Sequence, residues 1–243
     1  MNMDIKHYPG TRAITIFCLL VLYSPMLVVA VYSFNSLRSI SNWGGFTFDW
    51  YIKAFNNPAI QSAALNSLSI AFTASLIATA IAVCASLALL RGKKFKGQGA
   101  FAGLLSLPLM IPEIITAVAS LVFFVAIHLT LGLGTILLAH IVFCIPFAYL
   151  PISARMKGIS ADYDQAAMDL YASRWACFHY VTLPMLMPGI ASGMMLAFIV
   201  SLDDFIVANM VAGPGASTLP MTIYSMVRIG FTPEINAVST LLL

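Results

Sequence analysis

Five long apolar runs constrain this chain more than any other feature of its sequence. They cover residues 13–33, 68–90, 100–127, 133–154 and 185–211. A helix needs about 20 mostly apolar residues to cross the hydrocarbon layer of a bilayer, so each run predicts a membrane span. Only 9% of the residues are charged, whereas a soluble domain carries about 25%. We therefore predict an all-α, multi-pass membrane protein.

A sixth apolar run begins near Ile235 and reaches Leu243, which is too short to span, so the sixth predicted helix is incomplete. The first run follows basic residues, as a signal peptide does. It is longer than a typical signal-peptide core and contains Pro25, so we interpret it as an uncleaved anchor. The four cysteines occur singly, which argues against a disulfide framework or a zinc site. We expect one transmembrane domain, residues 1–243.

The positions of lysine and arginine predict the orientation, because short cytoplasmic loops carry an excess of these residues. Nine of the twelve lie in the N-terminus and in the loops 91–97 and 155–182, and three lie in the alternate segments 34–64 and 212–234. The sequence therefore predicts a cytoplasmic N-terminus and two external segments. The segment 34–64 also contains Trp43, Trp50 and Tyr51, which are typical of an interfacial aromatic belt.

Several classes of function find no support in the sequence. A net charge of +3, interrupted by apolar runs, does not indicate a nucleic-acid partner. There is no Walker P-loop, no HExxH and no GxSxG motif, and the four histidines are scattered singly. We therefore expect no enzyme activity and no cofactor in this chain. If it transports with ATP, another subunit must hydrolyse the ATP.

The basic loop 155–182 is the most informative polar segment. Asp162 or Asp164 can cap a short helix there. Ala166 with Leu170, and Ala167 with Tyr171, then share a small apolar face, because residues four apart lie on one side of a helix. From the residues alone, this face could pack against the protein's own bundle, lie among lipid headgroups or bind a partner.

The same segment carries a motif with defined spacing. It reads Gln165-Ala166-Ala167, then three residues, then Tyr171, then nine residues, then Val181-Thr182-Leu183-Pro184. This resembles the EAA loop of ABC-importer permeases, whose pattern is Glu-Ala-Ala, three residues, Gly, nine residues, Ile-x-Leu-Pro. Here Gln165 replaces the acid and Tyr171 replaces the glycine. The resemblance implies a coupling helix that docks on an ATPase through Gln165, Ala166, Ala167, Asp169, Leu170, Tyr171, Leu183 and Pro184.

Further blocks narrow the resemblance. They are Tyr32-Ser33-Phe34-Asn35-Ser36, Asn42-Trp43-x-Gly45-Phe46-Thr47, Ser201-Leu202-Asp203-Asp204-Phe205, Gly213-Pro214-Gly215, Leu219-Pro220, Tyr224-Ser225-Met226-Val227-Arg228 and Pro233-Glu234-Ile235-Asn236-Ala237. Together they are similar to the smaller permeases of the polyamine (putrescine and spermidine) importers, over nearly the whole chain.

That resemblance implies a type I ABC-importer transmembrane domain of about six helices in the bacterial inner membrane. It also implies a heterodimer with a second, related permease, two ATPase subunits that hold ATP and Mg, and an extracytoplasmic substrate-binding protein. The implied cargo is a polyamine such as putrescine or spermidine, with another small solute as the alternative.

Three acids lie inside apolar runs: Glu113, Asp203 and Asp204. An ionised acid at the bilayer centre costs at least about 2.5 kcal/mol, so these side chains should face the bundle interior or a water-filled cavity. A helix rises about 1.5 Å per residue. Glu113 then lies roughly 24 Å from the inner face of the membrane and Asp203 roughly 28 Å, so the two acids are at comparable depth. They could be helix caps, acids at a solvated edge, or a path for a cation.

A polyamine suits the last possibility, because several acids interleaved with rings can hold ammonium groups on an apolar stem. Phe205, Tyr224 and Phe231 could supply the rings, although packing and belt roles remain open for them. Pro108 and Pro112 flank the turn before Glu113 and predict a kink there. The alternative function is an ATP-independent secondary transporter or channel that uses the same acids.

Overall fold

The protein is built from helices. A computed structural model describes residues 10–39, 42–230 and 232–242. In chain order the α-helices are α1 (Thr11–Tyr32), α2 (Asp49–Asn56), α3 (Pro58–Leu90), α4 (Gln98–Met110), α5 (Glu113–Ala126), α6 (Leu133–Lys157), α7 (Asp162–Asp169), α8 (Arg174–Cys177), α9 (Leu183–Asp203), α10 (Ile206–Val211), α11 (Leu219–Ile229) and α12 (Pro233–Leu242). A single π-helical turn, Phe178–Thr182, joins α8 to α9.

Among the described residues, four helical stretches are long and apolar enough to cross a membrane. They are α1, α3, α6 and the continuous stretch Arg174–Asp203, and α4 with α5 would make a fifth as one broken span. The prediction of an all-α membrane protein is confirmed. Two predicted spans, 100–127 and 185–211, are each interrupted, after Met110 and after Asp203.

The first interruption follows from proline chemistry. α4 and α5 meet at 110°, which is far sharper than a kink within one helix. Ile111 is extended, with φ −89° and ψ 135°, because the ring of the following proline disfavours helical backbone at the preceding residue. Pro112 has no N–H, and it precedes the first turn of α5, where an N–H would have no partner. The predicted kink is therefore a complete turn.

The chain divides into two compact units, which we describe separately. The first comprises residues up to Gln61 together with those from Thr222 onward. In it, Asn35 organises the segment that follows α1: its side-chain amide donates to the carbonyls of Ser39 (2.9 Å) and Asn42 (2.7 Å), and its Oδ1 accepts the N–H of Gly44 (2.9 Å). The Trp50 indole donates to the Asn35 carbonyl (2.7 Å). Trp50 is buried, so it is a packing residue rather than the belt residue that the sequence predicts.

The second unit comprises Ser62–Met221. Its central contact is between α6 and α9, which approach closely because α9 presents small residues at four-residue intervals: Gly189, Gly193 and Ala197 are all buried. A Cβ atom at Gly193 would lie 2.6 Å from the carbonyl oxygen of Ala148 on α6. Small residues let two helices pack backbone to backbone, and this close packing fixes the position of α9 against α6.

We expect Gly193→Ala to lower the melting temperature of the detergent-solubilised protein, because the added methyl group would meet the α6 backbone. Overpacking of this kind costs about 1–3 kcal/mol. Gly103→Ala is the matched control, since Gly103 is also helical but has open space around it. Equal melting temperatures for the two variants would contradict the close approach of α6 and α9.

Candidate functional site

The candidate site forms where α9 ends. Asp203 is the last residue of α9, and Asp204 is extended, with φ −67° and ψ 126°. The Asp204 carboxylate accepts the N–H of Val207 (Oδ1, 3.2 Å) and the N–H of Ala208 (Oδ2, 2.8 Å). These N–H groups lie in the first turn of α10 and have no partner within that helix. Asp204 therefore caps α10 and stabilises the break in the predicted span.

His140, on α6, lies beside Asp204. Its Nε2 is 3.0 Å from Oδ2 of Asp204, and both side chains are about 1% exposed. The approach is within ion-pair range but off the line of a hydrogen bond, so the Nε2 position lacks a hydrogen-bond partner. The other ring nitrogen, Nδ1, is 2.8 Å from the Ser201 hydroxyl. The ring is thus held between α9 and the carboxylate that follows it.

Sequence reasoning missed His140. The four histidines are scattered singly in the sequence, and none was predicted to contact the acids. The available signal was that His140 is the one residue in the run 133–154 that can carry a positive charge. Nothing in the sequence indicated that α6 would place it against Asp204.

Glu113 is the third acid of the candidate site. It begins α5, directly after the 110° turn. Ala117 of α5 packs in one buried cluster with Val207 and Ala208 of α10, and Asp204 and Asp203 lie close enough to Glu113 to act on its carboxyl electrostatically. The three predicted acids therefore converge, as their comparable predicted depth suggests.

The three acids differ in accessibility. Asp204 is buried, Glu113 is half-exposed and Asp203 is exposed at the surface of the chain. A cation can reach Asp203 and Glu113, whereas Asp204 is engaged by α10 and His140.

The predicted aromatic residues have separate surroundings. Phe205 is half-buried directly after Asp204. Tyr224 belongs to the first unit, on α11, where the Arg228 guanidinium carbon lies 5.0 Å from its ring centroid. Phe231 lies outside the described residues. A role in binding the cation remains a prediction for all three.

The loop 155–182 contains the predicted short helix, α7. Asp162 and Asp164 lie in its first turn, as predicted, but neither caps it. The Asp162 carboxylate accepts a hydrogen bond from the Ser160 hydroxyl (2.7 Å), and Asp164 points away to an ion pair with Arg91 (2.8 Å). The prediction that Asp162 or Asp164 caps α7 was wrong, because the positions of these residues in the sequence do not show which side chains they contact.

The end of α7 explains the glycine in the family pattern. Tyr171 has φ +61°, the left-handed conformation that glycine adopts without cost. The N–H of Ala172 donates to the Ala167 carbonyl (3.1 Å) and that of Tyr171 to the Met168 carbonyl (2.9 Å), which together form a Schellman turn. The position therefore favours glycine for its backbone angle.

The predicted coupling residues form an exposed surface. Tyr171 is 98% exposed and Leu170 is 82% exposed, and α7 has no buried residue. Gln165, Ala166 and Asp169 are exposed on the same helix, Ala167 is half-buried, and Leu183 and Pro184 open α9. The apolar face of this segment is therefore not covered by the chain's own helices.

Comparison with known proteins places these features in context. Residues 80–243 match the family described as binding-protein-dependent transport system inner membrane component. The putrescine transport system permease protein PotI of Escherichia coli K12 is 40% identical over 100% of this chain and 88% of its own length. The spermidine/putrescine transport system permease protein PotC of the same strain is 40% identical over 91% of this chain and 84% of its own length.

Solved structures share the fold at low sequence identity. A bacterial ABC transporter involved in import of the acidic polysaccharide alginate gives a TM-score of 0.67 at 18% identity, over 93% of this chain and 85% of that one. The MetNI methionine ABC transporter, in an inward-facing conformation, gives 0.64 at 18% identity, over 76% and 90%. The predicted ABC-importer transmembrane fold is confirmed.

We expect His140→Leu to destabilise the protein, because it leaves the buried Asp204 carboxylate beside an apolar side chain. Removing one partner of a buried pair costs about 3–5 kcal/mol. Adding Asp204→Leu should cost less than the sum of the single changes, since the two groups are in contact. Melting temperatures of the four proteins in detergent measure this, with His128→Asn, at an exposed position, as the control. Additive losses would contradict the contact.

Proposed function

Because the chain belongs to the binding-protein-dependent transport system inner membrane component family, we propose that it forms half of the membrane pathway of an ATP-driven polyamine importer. The observation that carries this proposal is the convergence of Glu113, Asp203 and Asp204 where two apolar runs are broken. The names of the 40% identical relatives, which specify putrescine and spermidine, support the choice of cargo.

Asp203 and Glu113 bind the cation in this proposal. Both carboxyls can be reached from the surface of the chain, and the apolar runs 100–127 and 185–211 contain no Lys or Arg that could neutralise them. A primary ammonium group has three donors for carboxylate oxygens, and its alkyl stem tolerates apolar surroundings. Asp204 maintains the backbone break that places Asp203 at the end of α9. Phe205 contributes a ring face to the ammonium groups or the stem, and a role in the substrate path stays a prediction for Tyr224.

The remaining subunits supply what this chain lacks. A second, related permease completes the pathway as a heterodimer, and an extracytoplasmic binding protein delivers the polyamine. Two ATPase subunits hold ATP and Mg, and one of them binds the exposed surface of Gln165, Ala166, Asp169, Leu170 and Tyr171. The N-terminus and the loops 91–97 and 155–182 face the cytoplasm, and lipid covers the apolar faces of the spans.

An ATP-independent transporter is the second candidate, and the same acids favour it. The exposed apolar surface of α7 distinguishes the two, because a secondary transporter has no use for a docking helix. If purified permease in liposomes takes up putrescine without ATPase subunits, and replacement of Leu170 and Tyr171 leaves that uptake unchanged, the ATP-driven proposal is wrong.

We expect Asp203→Asn and Glu113→Gln each to raise the concentration of putrescine needed for half-maximal uptake roughly tenfold, which corresponds to about 1.4 kcal/mol. The neutral side chains keep the shape but lose the charge that attracts the ammonium group. Uptake is measured in proteoliposomes with the complete importer, and recovery of the ATPase subunits with the permease should not change. Asp49→Asn, which removes an exposed acid of α2, is the control. Unchanged uptake in both variants would remove the cation assignment.

The docking surface makes a separate prediction. Tyr171→Gly should preserve the turn, because glycine favours the left-handed conformation, while it removes a ring that is 98% exposed. We expect it, and Leu170→Ala, to weaken ATPase binding about fivefold or more, a loss of about 1 kcal/mol. Binding of the purified ATPase to the permease pair in nanodiscs measures this.

Phe48→Ala is the control for that experiment, because Phe48 is also an exposed ring but lies in the segment 34–64, predicted to be external. An ATPase affinity equal to that of the unmodified protein for both Tyr171→Gly and Leu170→Ala would place the docking surface elsewhere.

A further inference from the structure

One carboxylate connects the docking helix to the spans. Oδ2 of Asp164 on α7 lies 2.8 Å from Nη1 of Arg91, which directly follows α3. Oδ1 of Asp164 accepts a hydrogen bond from the Thr182 hydroxyl (2.9 Å) and lies 3.5 Å from the Cys177 sulfur. The second guanidinium nitrogen of Arg91 donates to the Ile159 carbonyl (2.9 Å). Asp164 thus joins α7, the end of α3, and the segment that leads into α9.

This link is the principal attachment of α7. The helix has no buried residue, so apolar packing holds it weakly. Within the described part of the chain, the side-chain hydrogen bonds and ion pairs that α7 forms with other helices all involve Asp164. The Arg91 and Asp164 side chains are only 16% and 21% exposed, so water competes with the ion pair less than at an open surface.

The hydrogen bond between Thr182 and Asp164 lies where the π-helical turn meets α9. Thr182 is buried and ends the π-helical turn Phe178–Thr182, and α9 begins at the next residue. Single π turns inside helices are rare and often mark functional positions. From there α9 runs 21 residues, about 30 Å, to Asp203 at the acid cluster. A displacement of Asp164 therefore acts directly on the start of the helix that ends at the acids.

We propose that Asp164 is the positioning residue that transmits movement of the docking helix to α3, through Arg91, and to α9, through Thr182. This inference rests on the proposed function, since it requires an ATPase that moves α7. Charge-assisted hydrogen bonds are short and directional, so a carboxylate held by three donors moves together with them. Without it, α7 remains bound to the ATPase but its motion no longer reaches the spans.

The test uses the complete importer in proteoliposomes, with putrescine as the substrate, and measures putrescine taken up per ATP hydrolysed. Asp164→Asn keeps the size of the side chain but removes the charge that holds Arg91. We expect this ratio to fall at least about fivefold, the lower end of a usual coupling energy. ATPase binding to the permease should be unchanged, because Asp164 faces the spans rather than the docking surface.

Asp162→Asn is the matched control. Asp162 is an acid of the same first turn, and its carboxylate is hydrogen-bonded to the neighbouring Ser160. It should leave the ratio unchanged. An equal fall in the two variants, or a loss of ATPase binding in proportion to the loss of uptake, would overturn the inference.

Thr182→Val provides a second arm, which decides the question if Asp164→Asn fails to assemble. It preserves the ion pair and the shape of the side chain while removing one donor to Asp164. The ratio should fall here as well, and a ratio equal to that of the unmodified importer would overturn the inference. If the unmodified importer itself shows no ATP-dependent putrescine uptake, the proposed function fails; if it transports and the variants keep its ratio, only the transmitting role fails.

Discussion

A backbone N–H or C=O group inside a bilayer has no water to bond, so it needs a partner within the protein. This chain nevertheless interrupts its helices inside two apolar runs, after Met110 and after Asp203. At the second break the Asp204 carboxylate accepts two N–H groups of the next helix. The Asp204 side chain that accepts these N–H groups also adds negative charge to the site. The broken helix and the acidic site therefore have one physical cause.

Close packing of α6 and α9 places the rest of the site. Gly189, Gly193 and Ala197 face α6, and the Cys144 thiol lies 3.4 Å from the Ala197 carbonyl. The next residue in this four-residue series is Ser201, whose hydroxyl meets the ring of His140. A bulkier residue along the series would separate the helices and withdraw His140 from Asp204. Small residues far from the acids thus contribute to the site only by setting the distance between α6 and α9.

The acid cluster and the docking segment lie at opposite ends of one helix. Asp203 ends α9, and the π-helical turn with Thr182 immediately precedes it. A helix of this length transmits displacement as a rigid element, which is the usual means by which packed spans change their arrangement. In the proposed function, α9 alone joins the acids that bind the cation to the segment that binds the ATPase.

The sequence by itself determined the class of protein, its spans and its family. The apolar runs predicted the membrane class because transfer into lipid is a sum over neighbouring residues. The family resemblance, made on blocks such as Gln165-Ala166-Ala167, is confirmed by relatives that are transport permeases and not enzymes. The hydropathy of a run does not reveal a turn within it, so 185–211 was predicted as an unbroken span. In 100–127 the prolines predicted a kink, where the structure has a complete turn of 110°.

Only the tertiary structure decided which polar groups meet. His140 with Asp204, and Arg91 with Asp164, which lies 73 residues further along the chain, could not be paired from their sequence positions. Such pairs depend on the rotation of each helix about its axis and on the close contact of α6 with α9. Those quantities are set by packing between distant segments, whereas the tendency to enter a membrane is set within each segment.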